Sequence, residues 1–234
     1  MSLKSTKPLV SVIIPALNEQ NAVGYVLDEI PMTVVGEVIV VDNGSVDNTS
    51  GVAKKKGATV LYESRKGYGS ACLKALTHIK DSQTRPDIVV FLDADHSDYP
   101  EELPKLIQPI IDDQADLVIG SRALGEKESG SMTFPQVFGN WLATRLIKLF
   151  YGIPFTDLGP FRAIRYSSLL ALQMKDQNYG WTVEMQLKSA RLKLRNTEVP
   201  VNYRRRIGVS KVSGTVKGTI MAGYKILFTI FRYL

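Results

Sequence analysis

Cysteine is almost missing from this 234-residue chain: Cys72 stands alone. An internal disulfide framework and a multi-cysteine zinc site are therefore excluded, and a reducing cytoplasm is the expected compartment. The opening stretch, Met1 to Lys7, lacks the apolar run of a signal peptide, so no export signal is read there. The first apolar segment is not followed by GxGxxG, and GxxxxGK[ST] occurs nowhere, which removes the usual dinucleotide and P-loop phosphate cradles. Acidic residues are absent beyond Glu198, whereas seven basic residues lie there: Arg204, Arg205, Arg206, Lys211, Lys217, Lys225 and Arg232. The whole chain has 29 Lys and Arg against 23 Asp and Glu, a net charge of +6. Setting the seven aside leaves a body of net charge −1 and a basic tail. No nucleic-acid reader motif accompanies that charge, so nucleic acid is not an expected partner.

A hydrophobic content of 44% excludes disorder and fits one large or two small globular domains. Short β-branched apolar runs recur at Val10 to Ile14, Val38 to Val41, Thr59 to Tyr62, Ile88 to Leu92 and Leu117 to Ile119, and they read as buried strands. Helical patterns fill the gaps at Glu19 to Ile30, Asp47 to Lys56, Gly67 to Lys80 and Pro100 to Asp113, with Pro104 and Pro109 expected to bend or shorten the last. A further helical pattern spans Asn140 to Tyr151, after a loop from Leu124 to Pro135. The expected fold is a Rossmann-like α/β domain over residues 1–214, a mostly parallel twisted sheet covered by helices, followed by a basic amphipathic helix over 215–234.

Ligands on such sheets bind beyond the carboxyl ends of the strands. That rule selects Pro15 to Glu19, Asp42 to Ser45, Asp93-Ala94-Asp95, and Gly120 to Arg122. A strand running straight into Asp93 and Asp95 gathers hard oxygen ligands suited to Mg²⁺ or Mn²⁺ and, through it, to a diphosphate. The same residues also read as a turn capping the next helix. Asp42 either meets a nucleobase or ribose, or forms an Asx turn with Ser45.

Val12 to Glu19, Val40 to Thr49 and Leu92 to Asp95 together resemble family 2 glycosyltransferases. Asp157 to Arg162, Gly180 to Met185 and Arg206 to Gly214 are similar to the polyprenyl-phosphate, dolichyl-phosphate mannosyltransferase-like branch. The resemblance implies a GT-A fold and a nucleotide-sugar donor such as GDP-mannose or UDP-glucose. By position, Pro15, Asn18, Glu19 and Asp42 would line the nucleoside pocket, with Asp93 and Asp95 holding the divalent metal and diphosphate. Asp95 and Arg122, with Arg162 and Glu184, are the catalytic candidates. Two departures stand out: Asn43 replaces the second Asp of the VVDDGS-type motif, and Ser97 stands where that branch carries a metal-binding Gln.

Arg204, Arg206, Ser210 and Lys211 are candidates for the acceptor phosphate, because guanidinium forks match phosphate oxygens. The residues leave a solvated basic face open as the alternative. A phosphate monoester is already ionised near neutral pH, so a lipid phosphate can attack the anomeric carbon without a protein base. Expected partners are the nucleotide-sugar, a lipid phosphate, a membrane surface and a second copy of the chain, with the protein peripheral at the inner face of the cytoplasmic membrane. The tail mixes Ile226, Leu227, Phe228, Ile230 and Phe231 with Lys225 and Arg232, too interrupted for a spanning helix. It lies on a bilayer, on the protein's own core or on another copy. Two rivals remain: transfer to a hydroxyl of a soluble acceptor with Glu184 or Asp98 as base, and a non-catalytic nucleotide-sugar-binding scaffold.

Overall fold

The computed structural model describes residues 7–208 and 216–233. Seven strands form one sheet: β1 (Val10–Ala16), β2 (Glu37–Asp42), β3 (Thr59–Tyr62), β4 (Ile88–Phe91), β5 (Leu117–Ser121), β6 (Arg162–Arg165) and β7 (Asn196–Pro200), in the order β3-β2-β1-β4-β6-β5-β7. All pairings are parallel except those of β6, which runs antiparallel to β4 and β5. Among the described residues the eight α-helices are α1 (Val23–Glu29), α2 (Thr49–Lys55), α3 (Tyr68–Asp81), α4 (Leu103–Ile111), α5 (Phe134–Tyr151), α6 (Tyr166–Leu172), α7 (Trp181–Arg191) and α8 (Val216–Arg232).

Alternation along each strand sends side chains to two cores. Val12, Ile14, Val90 and Leu92 join the helices α1 and α4 on one face, while Ile13, Val89 and Phe91 join α3, α5 and α7 on the other. The five expected strands are present. The segment expected as one helix at 100–113 opens instead with a 3₁₀ turn, Pro100–Glu102, before α4. Pro104 sits at the first turn of α4, where its missing N–H costs nothing, and Pro109 lies inside the helix. Helix α5 begins at Phe134, six residues before the expected Asn140, because Thr133 and Gln136 form a reciprocal capping box with Pro135 in the first turn.

Helix α8 lies over 216–232, against α5 and α7. Ile226 and Ile230 enter the second core. The Tyr151 hydroxyl donates to the Ile230 carbonyl at 2.9 Å, and the Tyr233 hydroxyl to Glu184 at 2.6 Å. Met221, Tyr224, Phe228 and Phe231 remain exposed, at i, i+3, i+7 and i+10, which is one stripe of the helix.

Candidate active site at the carboxyl rim of the sheet

The loops after β1, β2, β4 and β5 meet on one rim. Asn18, at φ 54°, accepts from the Val46 amide at 2.8 Å and donates its own amide to the Ser45 hydroxyl at 2.9 Å. Asp42 accepts from the Ser45 amide at 2.7 Å and from the Ser50 hydroxyl; Gly44, at φ 80°, makes that turn. Burial pushes the Asp42 carboxyl up, but these donors outweigh it and hold it below the usual carboxylate range. Asn43 is a latch between this loop and the one after β3. Its amide donates to the carbonyls of Glu63 and Arg65 at 3.0 and 2.7 Å, and its oxygen accepts from Gly67 at 2.7 Å. The Lys66 ammonium is drawn onto the carbonyls of Asn43 and Gly44, and Asn43 and Lys66 line one cavity at the rim.

After β4 the chain turns into the acidic centre. Ser97 donates both its amide and its hydroxyl to Asp95 Oδ1, at 3.0 and 2.5 Å, so this residue aims the Asp95 carboxylate. Segment 203–207 runs beside 95–98, with the Arg204 amide on the Ser97 carbonyl and the Ile207 amide on the Asp95 carbonyl, both at 2.9 Å. Residues two apart on a regular strand share a face, but beyond the bridge at Tyr203 this segment is irregular, and its arginines face different ways. Arg206 reaches inward and bridges Glu19 and Asp95, each at 3.0 Å. Arg204 goes to the outside of the loop, pairs with Glu29, lies 4.3 Å over the Tyr99 ring and donates to the carbonyls of His96 and Asp98.

Arg122, after β5, forms a two-pronged ion pair with Asp157: Nε to Oδ2 at 2.8 Å and Nη2 to Oδ1 at 2.7 Å. Its own amide adds a third bond to Asp157 at 2.8 Å. Burial pushes the Asp157 carboxyl up, yet Arg122 holds it below its ordinary value. Asp93 has no such relief. Shielding from water and the Asp95 charge push its carboxyl up to about 7, against the pull of Arg206 and Arg122. Asp98 is 1% exposed and neither carboxylate oxygen has a hydrogen-bond partner among the described residues; burial, then Asp93, drives it well above its ordinary value.

Two adjoining cavities, about 300 and 330 Å³, share Tyr68, Asp93, Asp95, Asn178, Tyr179 and Arg206. The first extends to Pro15, Glu19 and Lys66, the second to Arg122, Gln136 and Tyr203. Tyr68, Lys66, Tyr203 and the pair Asn178 and Tyr179 had no signal in the linear motifs. The pair reaches the rim because Gly69 lets segment 176–177 approach: a Cβ there would lie 2.0 Å from the Asp176 carbonyl oxygen.

Asn18, Asp42 and Arg204 are near the rim without lining either cavity, and Arg162 and Glu184 stand elsewhere. Arg162 is fully buried and spends its guanidinium on the carbonyls of Leu158, Gly159 and Thr182. Burial lowers it to about 10. Glu184, also fully buried, accepts from the amides of Lys175 and Asp176, from Lys188 at 2.7 Å and from Tyr233. Both brace the loops around the site and neither lines the cavities, because every polar atom they offer is committed to packing partners. Ser210 and Lys211 lie outside the described residues.

The donor set at the rim fits a divalent cation. Asp93 and Asp95 are hard oxygen ligands crowded at like charge, and a cation relieves that repulsion. No cluster of three His, Cys, Asp or Glu ligands forms among the described residues, so the protein would supply two carboxylates and leave positions for phosphate oxygens and water.

An open α/β sheet with this acidic, arginine-bridged rim is a GT-A type transferase. The chain belongs to glycosyl transferase family 2, whose pattern it matches over residues 11–172. It is 35% identical over 216 residues to an uncharacterised glycosyltransferase of Mycobacterium tuberculosis, covering 91% of this chain and 94% of that one. It is 31% identical over 221 residues to the undecaprenyl-phosphate mannosyltransferase of Micrococcus luteus, covering 88% of each. Among solved structures, glucosyl-3-phosphoglycerate synthase from Mycobacterium tuberculosis, in complex with Mn²⁺, UDP and glucosyl-3-phosphoglycerate, shares the fold. The TM-score is 0.76 at 23% identity, over 97% of this chain and 80% of that one.

Proposed function

We propose that the protein transfers a hexose from a nucleotide-sugar to a polyprenyl phosphate, with inversion at the anomeric carbon. The observation that carries the acceptor side is the apolar surface beside the rim. Phe134, Val137, Phe138 and Trp141 on α5 are exposed, as are Tyr224, Phe228 and Phe231 on α8, and Phe150 and Phe231 meet edge to face at 5.7 Å. Phe134, Phe138 and Trp141 also stack in series, and exposed aromatic groups of this kind mark an interaction surface suited to a bilayer. A cavity of about 390 Å³ under α5, walled by Met132, Val137, Trp141 and Phe155, offers an apolar berth for an isoprenoid. The names of relatives that use undecaprenyl phosphate and dolichyl phosphate support the same acceptor class. No described helix is long and apolar enough to cross a membrane; the reading is of a protein lying on the inner face of the cytoplasmic membrane.

In this mechanism Pro15, Asn18, Glu19 and Asp42 hold the nucleoside, while Asp93 and Asp95 would hold Mg²⁺ or Mn²⁺, whose charge would offset that of the diphosphate leaving group. Arg122, fixed by Asp157, presents its guanidinium to the sugar. Arg206 leaves its bridge between Glu19 and Asp95 to take the acceptor phosphate, with Ser210 and Lys211 as further contacts. An acceptor phosphate oxygen forms the new bond to the anomeric carbon as the bond to the diphosphate oxygen breaks and its electron pair leaves with the diphosphate. No side-chain base is required. His96 is held by Glu29 at 2.9 Å, and His78 lies 3.6 Å from Glu37.

The test is nucleoside diphosphate release from UDP-glucose and GDP-mannose with Mn²⁺, comparing undecaprenyl phosphate in detergent with 3-phosphoglycerate. Turnover only with the lipid phosphate, and an inverted product, is expected. Turnover confined to 3-phosphoglycerate would establish the second reading, a soluble phosphorylated acceptor, which the bound complex of the structural neighbour favours.

A further inference from the structure

A second polar cavity, about 590 Å³, opens on the far side of segment 175–178, between that segment, the β3–α3 loop and α8. Its charged wall consists of Arg65, Lys66, Lys175, Lys225 and Arg232 against a single carboxylate, Asp176. That carboxylate is already committed. Asp176 accepts from the amides of Asn178 and Gly180 at 2.7 and 3.1 Å and pairs with Lys225 at 2.9 Å. Lys66 donates only to neutral carbonyls. Among the described residues no carboxylate lies within ion-pair distance of Arg65, Lys66, Lys175 or Arg232, whereas Arg122, Arg195, Arg204 and Arg206 are each paired. Four uncompensated cations from three separate chain segments therefore face one concavity in a body whose upstream residues are slightly acidic.

We infer that this cleft is a binding site for a phosphate-bearing anion, separate from the donor cavity with which it shares Lys66 and Asn178. Two guanidinium forks and two ammonium groups converging from different elements are the donor set that phosphate oxygens require. Like charges crowded without a counter-ion repel one another, and a bound oxyanion removes that cost. Helix α8 contributes Lys225, Thr229 and Arg232 to the cleft at i, i+4 and i+7, so they share one face. The exposed Tyr224, Phe228 and Phe231 lie on the adjoining stripe. The phosphate can thus arrive on a lipid headgroup, with its acyl chains against the aromatic stripe, or free in solution. The site holds for either source and does not depend on which acceptor the enzyme glycosylates.

Two probes separate these sources: sodium pyrophosphate by titration calorimetry in metal-free buffer, and sedimentation with phosphatidylcholine vesicles containing or lacking phosphatidic acid. Three full-length proteins are compared: wild type, Arg65→Ala/Lys175→Ala/Arg232→Ala, and the charge-matched control Lys54→Ala/Lys74→Ala/Lys80→Ala, which alters exposed lysines on α2 and α3. Circular dichroism melts check that all three fold. The cleft variant should lose about tenfold or more in affinity for at least one probe, and the control less than about twofold. Loss for pyrophosphate identifies a site open to soluble phosphates, and loss for phosphatidic acid vesicles alone identifies a headgroup site. Equal losses in both variants, or binding of neither probe by the wild type, would overturn the assignment.

Discussion

The two ends of the same strands handle charge in opposite ways. At the amino end, Asp113 and Asp116 meet Arg165 and Arg195: Arg195 Nη2 lies 2.8 Å from both carboxylates, and Arg165 Nη2 2.9 Å from Asp113. The Arg195 side chain, bonded to Asp116, holds that carboxyl down to about 2. At the carboxyl end, β4 delivers Asp93 and β5 delivers Arg122, and there the carboxyls of Asp93 and Asp98 are driven upward. The first arrangement is complete in itself and supports folding. The second is short of cations, and a structure tolerates such a deficit where a ligand supplies them.

Asp95→Ala tests the contrast most severely. Removing a carboxylate from the deficient end should lower nucleoside diphosphate release about a thousandfold or more and abolish any Mn²⁺-dependent thermal shift with the donor. The fold should survive, since the side chain's partners are Ser97 and Arg206. Activity within tenfold of wild type would break the distinction between the two ends.

Asp157→Ala probes a residue that belongs to both. Its pair with Arg122 is complete, yet it sits at the rim, 1% exposed. Stranding the guanidinium should cost about 3–5 kcal/mol in urea unfolding. The double change Asp157→Leu/Arg122→Met should regain most of that stability but not turnover; recovery of both would show that Arg122 has no role in transfer.

How much of this contrast is legible in the chain depends on distance along it. Runs such as Ile88 to Leu92 announce buried strands, and the strand-end rule then singles out Asp42, Asp93, Asp95 and Arg122 without any three-dimensional information. Strands β6 and β7 escape the same reading because Arg162 to Arg165 is short with a charged residue at each end, and Asn196 to Pro200 is only partly buried. The opposite destinations of Arg204 and Arg206 are set by a pairing with 95–98 across a separation of more than 100 residues. Asp157 lies in a motif and Arg122 at a strand end, but nothing along the chain shows that the two, 35 residues apart, pair with each other. Arg162 and Glu184 show the converse error: charged residues in a family motif were read as chemistry, whereas their geometry makes them braces.

At the complete end the expected effects are smaller and have a defined pH dependence. Asp116 has a folded value of about 2, below the roughly 3.9 of an unfolded aspartate. Its contribution is therefore present above about pH 4 and lost as pH falls from 4 through 2. Asp116→Asn should cost about 1–2 kcal/mol at pH 7 once screening by water is allowed for, and only a small part of that at pH 2. Urea midpoints across that range measure it, and a pH-independent loss would mean that the network acts through packing instead.

Asp98→Asn should carry the opposite sign, which makes it the sharpest comparison despite its small size. The Asp98 carboxyl faces Asp93, Asp95 and Asp157, with Arg122 as the nearby cation and the 203 backbone paired alongside. Burial, more than any neighbour, raises its folded value above the unfolded one. At a pH below about 4 both states hold the proton and the residue costs nothing; as pH rises through 4 the unfolded chain releases its proton first, and the folded state loses ground until its own value is passed. The isosteric amide should thus be neutral at pH 4 and stabilising by roughly 0.5–1 kcal/mol at pH 8, read as a rise in melting temperature. A loss of stability at pH 8 would mean that the Asp98 carboxylate is satisfied, and the shortage of positive charge would then shrink to Asp93 and Asp95, the two residues that would hold a divalent cation.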